Sequence, residues 1–279
     1  MLLRYPIVSY FILSFAIAWS VWIPVGMLVA EPSVAVVLPG AWAPTIAAVL
    51  LTAVTEGRSG VRKLFSGLLK WRAGIRWYLF AILGGTAVAF FAIGIHVLLG
   101  GSAPTVEAVA ARFGLPAERA NSLFAMLPMI YLVTIFAGGP IAEELGWRGY
   151  AQARLQPKVG AAPAGVLIGF IWSLWHLPVF FFLPGATGNV PILYYVPLVT
   201  AWGVLFGWLY VRTYGSVLLC VLFHAGMNFA LGALGLVTIT GSTRLLTIFV
   251  VLWSSVAVLV FLRMKRADRL EPVSVSKTQ

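Results

Sequence analysis

Apolar runs too long for the core elements of a soluble domain recur along the chain, at about 6–30, 36–55, 77–99, 122–151, 163–183, 191–211, 215–237 and 244–262. A helix that crosses a bilayer needs roughly 20 consecutive apolar residues. Backbone polar groups surrounded by hydrocarbon must be satisfied within the segment itself, so such runs fold as helices. The expected fold is therefore all-α: a polytopic membrane helix bundle of about eight transmembrane helices. Composition agrees, with 10% charged residues and a mean hydropathy of +0.98, against about 25% charged in an ordinary soluble domain. These spans and their short loops fill residues 1–279, which read as a single integral membrane domain.

Gly101-Ser102, Pro157 to Gly160, Pro184-Gly185 and Gly241-Ser242 punctuate four of the breaks. The first run has features of a cleaved leader, with Arg4 ahead of it and Ala16-Ile17-Ala18 resembling a cleavage site. Its apolar character continues to Ala30, which favours a retained span.

Lysine and arginine give an independent reading of topology, because cytoplasmic loops carry their excess. Arg58, Arg62, Lys63, Lys70, Arg72 and Arg76 cluster in one loop; Arg148, Arg154 and Lys158 fall near the next loop on that side, as do Arg4, Arg212 and the basic residues of the tail. Arg112, Arg119 and Arg244 alone fall opposite, so sixteen of the nineteen basic residues share one side and both termini are expected in the cytoplasm. The net charge of +11 then reflects topology and attraction to anionic lipids, worth about 1 kcal/mol per basic residue near the surface. No separate basic domain calls for a nucleic-acid partner. The polar tail 263–279 is expected to be solvated, and the loop 100–121 reads either as a short surface-lying amphipathic helix or as a plain connector.

Ionisable groups inside the spans carry the chemistry. Glu143 and Glu144 stand side by side within an apolar run, in a chain with eight acidic residues. A charged group at the centre of a membrane helix costs at least about 2.5–3.5 kcal/mol, so such groups face the bundle interior, are paired, and mark function. Arg148, His176, His224 and Asn228 are the other polar residues of this kind. Counted from the cytoplasmic ends of their spans, Glu143, His176 and His224 lie roughly 12–20 Å deep at about 1.5 Å per residue. Three helices thus bring ionisable groups to a similar level, in a site opening toward the cytoplasm.

Helical spacing separates the two carboxylates. Glu144 and Arg148 are four residues apart and share a face, the arrangement of an acid–base pair. Glu143 points about 100° away and is left to meet other helices as a general base. His224 and Asn228 are likewise one turn apart. Pro178 removes the helical hydrogen bond to the Leu174 carbonyl and is expected to bend its span just beyond His176. Gly226 leaves room for a close approach at the His224 turn.

These residues resemble the CPBP intramembrane proteases, a family that includes the type II CAAX prenyl endopeptidases and bacterial bacteriocin-processing or self-immunity proteins. The family pattern has two Glu followed by Arg, an aromatic residue four before a His, and a His four before Asn or Asp. Here Glu143-Glu144-Leu-Gly-Trp-Arg148, Trp172 to His176 and His224 to Asn228 occur in that order on separate runs, with Trp172 where Phe is usual. The resemblance covers about 122–235, and it implies the following roles. Glu143 activates water with the help of His176, and His224 and Asn228 stabilise the oxyanion. Glu144 and Arg148 orient the site. The substrate is a membrane-associated protein or peptide, lipidated in CAAX-type members, and the host membrane is the plasma membrane of a bacterium or archaeon.

The family has been described both as metal-free glutamate proteases and as metalloproteases. Glu143, His176 and His224 have the composition of a three-ligand catalytic zinc set, but the chain lacks the local His-Glu-x-x-His signature. No required cofactor is the favoured reading, with a divalent metal such as zinc as its alternative. A different class of function also uses such a polar core, namely a non-proteolytic scaffold or a proton-coupled transporter. A transporter would show paired repeats and broken helices in corresponding halves, which this sequence does not. Cys220, four residues before His224, reads as an inert small hydrophobe rather than a nucleophile. His96 reads as an interfacial residue, and Trp147, Trp172 and Trp175 as packing residues.

Overall fold

The computed structural model describes residues 4–111, 113–137, 139–183, 190–233 and 242–270. Every regular element among these described residues is helical. Seven helices are long and apolar enough to cross a membrane, and one shorter apolar helix accompanies them. In chain order they are α1 (Pro6–Leu28), α2 (Val34–Leu69), α3 (Ile75–Leu98), α4 (Ala117–Val159), α5 (Ala161–Phe182), α6 (Ile192–Arg212), α7 (Val217–Gly232) and α8 (Thr243–Arg266). The short helix α7 corresponds to the run expected at 215–237, of which positions 234–237 lie outside the described residues. Pro184-Gly185, Gly241, Arg112 and the end of the tail from 271 also lie outside them. The last helix continues to Leu270, so the polar tail expected from 263 begins as helix.

The runs become helices with breaks where the backbone demands them. In α2, Gly57 adopts φ 65° and ψ −161° and divides the apolar half from a basic half. The fourth run is built from Leu123–Ala137, Pro140–Glu144, a π-helical stretch Leu145–Gln152 and Ala153–Val159. A π-helical insertion of this kind shifts the facing of side chains and is frequent at functional sites. In α5 the regular helix stops at Trp175, and a second short helix, Leu177–Phe182, starts after His176. The bend expected near Pro178 therefore falls at His176 itself.

Small residues bring helices together without help from water, whose exclusion drives packing only in soluble proteins. Gly165 and Gly169 of α5 face Gly203 of α6. A Cβ added at Gly165 would lie 2.7 Å from the Gly203 carbonyl oxygen, and one at Gly169 would lie 2.9 Å from the Thr200 backbone. Both helices carry glycines four residues apart, Gly165/Gly169 and Gly203/Gly207, the pattern that permits near-contact of two backbones. A second close approach joins α3 to α7, where a Cβ on Gly85 would meet the Gly226 carbonyl oxygen at 2.6 Å. Gly226 thus serves helix packing directly behind His224. Apolar side chains such as Phe90, Phe91, Leu132, Phe136, Val258 and Leu259 point outward, as a lipid-facing surface requires.

The basic segments converge on one end of the bundle. The Lys70 ammonium donates to the Tyr214 carbonyl (2.8 Å), the Ser216 hydroxyl donates to the Lys70 carbonyl (2.6 Å), and Arg154 pairs with Glu56. At the other end Arg244 donates to the Leu99 carbonyl (3.0 Å) and to Nδ1 of His96 (3.4 Å), which is buried there. The segment 100–121 contributes the short helix Val106–Ala111 and a turn at Ala117–Ser122, which close a small cluster of their own around Ala110, Ala120 and Leu123.

Candidate active site

Glu143 and Glu144 end the short helix Pro140–Glu144, and both are buried. Gly139 precedes that helix with φ +94°, a conformation open to glycine. A Cβ built at Gly139 would collide with Oε1 of Glu143, so the turn and the carboxylate are fitted to each other. On its other side, Oε2 of Glu143 accepts hydrogen bonds from two indoles: Trp172 Nε1 at 2.7 Å and Trp147 Nε1 at 3.3 Å. The first donor comes from α5, the second from one turn further along α4.

Glu144 is committed elsewhere. Its Oε1 accepts from Arg148 Nη1 at 2.9 Å, the pair expected from the four-residue spacing, and equally from Nδ1 of His224 at 2.9 Å. The four-residue spacing ties Glu144 to Arg148 and leaves Glu143 to meet the other helices. In the structure His224 is hydrogen-bonded to Glu144, because α7 presents it to the carboxylate that faces Arg148. The guanidinium of Arg148 is fully buried and lies over the rings of Phe206 (3.8 Å) and Trp172 (4.9 Å). Aromatic faces thus surround an ion pair that water does not reach.

The ring nitrogens have defined partners. Nδ1 of His176 lies 3.0 Å from the Trp172 carbonyl oxygen, which only accepts, so Nδ1 carries the hydrogen and Nε2 the lone pair of the neutral ring. Nδ1 of His224 lies 2.9 Å from the Glu144 oxygen that also accepts from Arg148. The two imidazoles flank one indole: Trp172 is 6.0 Å from His176 and, edge-on, 5.0 Å from His224 between ring centres. Asn228 follows His224 by one turn and ends the α-helical part of α7.

Sequence reasoning passed over three contributors. Trp172 and Trp147 read as packing residues, yet they are the donors that hold Glu143; the four-residue spacing from Glu143 to Trp147 was the signal for the second. Helix α1 lies outside the stretch 122–235 that the resemblance covers, yet its Trp22 stacks on His176 (6.1 Å, 26°), and its Tyr10 packs against Tyr150 (4.9 Å) and Trp147 (5.8 Å). Trp175 Nε1 donates to the Ser14 carbonyl, and Trp19 Nε1 to the Trp175 carbonyl, so α1 is stitched to the helix that carries His176. Cys220 is a buried free thiol. His96 belongs to the opposite end of the bundle.

A metal was the alternative for Glu143, His176 and His224. Among the described residues no three His, Cys, Asp or Glu side chains gather into a ligand set. Oε2 of Glu143 is held by two indoles and Nδ1 of His224 by Glu144, and the three side chains are not gathered into one ligand set. The residues as placed do not fit a three-ligand metal centre.

These features define an integral membrane protein of bundled helices with a buried acid–imidazole centre drawn from α4, α5 and α7. Residues 125–230, which contain every one of these polar groups, match the family described as Type II CAAX prenyl endopeptidase Rce1-like. The chain is also 24% identical over 231 residues to the CAAX prenyl protease 2 of Methanococcus maripaludis, a match covering 78% of this chain and 81% of that protein. Over its polar core the chain is thus similar to the CAAX-type intramembrane proteases, and these matches support an intramembrane endopeptidase.

Proposed function

We propose that this endopeptidase hydrolyses a peptide bond near the membrane-embedded or lipidated end of a protein or peptide, using water activated by Glu143. The observation that carries the reading is the buried Glu143 carboxylate, fixed through one oxygen by two indole donors at the level of His176 and His224. A base so held is positioned without being neutralised by a cation, since Arg148 is engaged with Glu144.

In this mechanism Glu143 takes a proton from water as the oxygen attacks the peptide carbonyl, and it returns that proton to the departing amine. His176, whose Nε2 bears the lone pair, assists the proton transfer. The Asn228 amide and His224 stabilise the oxyanion. Donation from Nε2 of His224 requires its doubly protonated form, and Glu144, at Nδ1, is the counter-charge for that form. A positioned general base contributes about 10²–10⁴-fold, and preorganised oxyanion donors contribute a comparable amount. The catalytic centre faces the cytoplasm, the side that receives most of the lysines and arginines, and no metal takes part in the chemistry.

The test is cleavage of a reporter peptide with a prenylated C-terminal cysteine motif by the purified protein in nanodiscs, with the products identified by mass. Cleavage that depends on the prenyl group supports a lipidated substrate. Equal cleavage of the unprenylated peptide assigns the site to membrane-associated peptides in general.

A further inference from the structure

At the basic end of the bundle, α2, the π-helical part of α4 and the start of α7 enclose a cavity of about 360 Å³. Lys63, Lys70 and Arg154 line it, with Glu56, Ser66 and Tyr210. Its one carboxylate, Glu56, is paired with Arg154, and Lys63 has no acidic partner among the described residues. Three cations against one carboxylate leave the cavity with a net positive charge. Lys70 is pinned at its rim by the Tyr214 carbonyl, and the Arg154 guanidinium lies over the Tyr150 ring at 3.8 Å.

The surroundings place this cavity at the boundary between hydrocarbon and water. Leu69, Trp71 and Tyr214, next in sequence to lining residues, are 76%, 58% and 86% exposed, and Phe65 is also exposed. Trp and Tyr concentrate at that boundary in membrane proteins. Gly149, on its wall, follows Glu143 by six residues, and Val217 precedes His224 by seven. The cavity is therefore roughly 10 Å along the helices from the candidate active site, at about 1.5 Å per residue, and is distinct from it.

We propose that this cavity is a headgroup site for an anionic phospholipid. The phosphate seats among Lys63, Lys70 and Arg154, while the acyl chains run along the exposed Phe65 and Leu69. The apolar rim is what selects a lipid over free phosphate. Basic pockets between membrane helices bind such headgroups on general electrostatic grounds.

The experiment is native mass spectrometry of the delipidated protein with phosphatidylglycerol or phosphatidylcholine, paired with thermal melting in inorganic phosphate. Wild type is expected to retain one phosphatidylglycerol and no phosphatidylcholine. Lys63→Gln/Lys70→Gln should lose affinity roughly thirty-fold, at about 1 kcal/mol per basic residue. Arg58→Gln/Arg62→Gln, which removes equal charge from the same segment outside the cavity, should keep the lipid. Equal loss in the two double variants would overturn the site, and inorganic phosphate that stabilises as well as phosphatidylglycerol would overturn its assignment to a lipid. Lys63→Gln alone preserves the Lys70–Tyr214 hydrogen bond and repeats the comparison with that turn intact.

Discussion

The indole of Trp172 donates a 2.7 Å hydrogen bond to Glu143, while its ring lies edge-on to His224 and its carbonyl accepts from His176. One residue of α5 thus touches three of the four groups expected to carry the reaction. Phenylalanine, usual at this position in the resembling family, could supply the ring and the carbonyl but no donor. Trp172→Phe should therefore leave the melting temperature and KM near wild type and lower kcat about ten- to a hundredfold. That range follows from the roughly 1.5–3 kcal/mol of a hydrogen bond to a charged group. Steady-state kinetics beside a melting curve checks this, and an unchanged kcat would remove Trp172 from the positioning of Glu143.

Gly139 should be equally intolerant of change. Alanine there meets both a left-handed backbone and the Glu143 carboxylate. We expect Gly139→Ala to destabilise by about 1–3 kcal/mol and to abolish cleavage even at temperatures where the protein stays folded. Cleavage scored against the folded fraction separates the two effects.

Arg148 lies in a fully buried pair, so removing it leaves Glu144 without its cation. Arg148→Met should cost about 3–5 kcal/mol, read as a loss of thermal stability in detergent. Glu144→Gln/Arg148→Met removes both charges and should recover part of that stability. It should not recover activity, because His224 then lacks its counter-charge.

The fold was largely legible because hydrophobic length is a one-dimensional signal: seven of the eight runs appear as spans and the eighth as the shorter α7. The Glu144–Arg148 pair was legible for the same reason, since a spacing of four residues fixes a shared face. The partner of His224 was not. Which of two adjacent carboxylates a histidine on another helix meets depends on how α7 is rotated against α4, and the π-helical turn after Glu144 alters the facing that a regular helix would give. The indole donors were hidden because a tryptophan in an apolar run signals packing until its Nε1 is located. The glycine pairs of α5 and α6 were open to inspection, but a reading that followed charges passed them by.

The two glutamates now have different partners: Glu143 meets two indoles, and Glu144 meets a guanidinium and an imidazole. The most direct measurement compares single-turnover cleavage of one reporter peptide by wild type and Glu143→Gln, both in nanodiscs and both shown folded by their melting curves. The glutamate-base mechanism predicts that Glu143→Gln falls at least about a hundredfold while its melting temperature stays close to wild type. Cleavage at the wild-type rate by folded Glu143→Gln would contradict it.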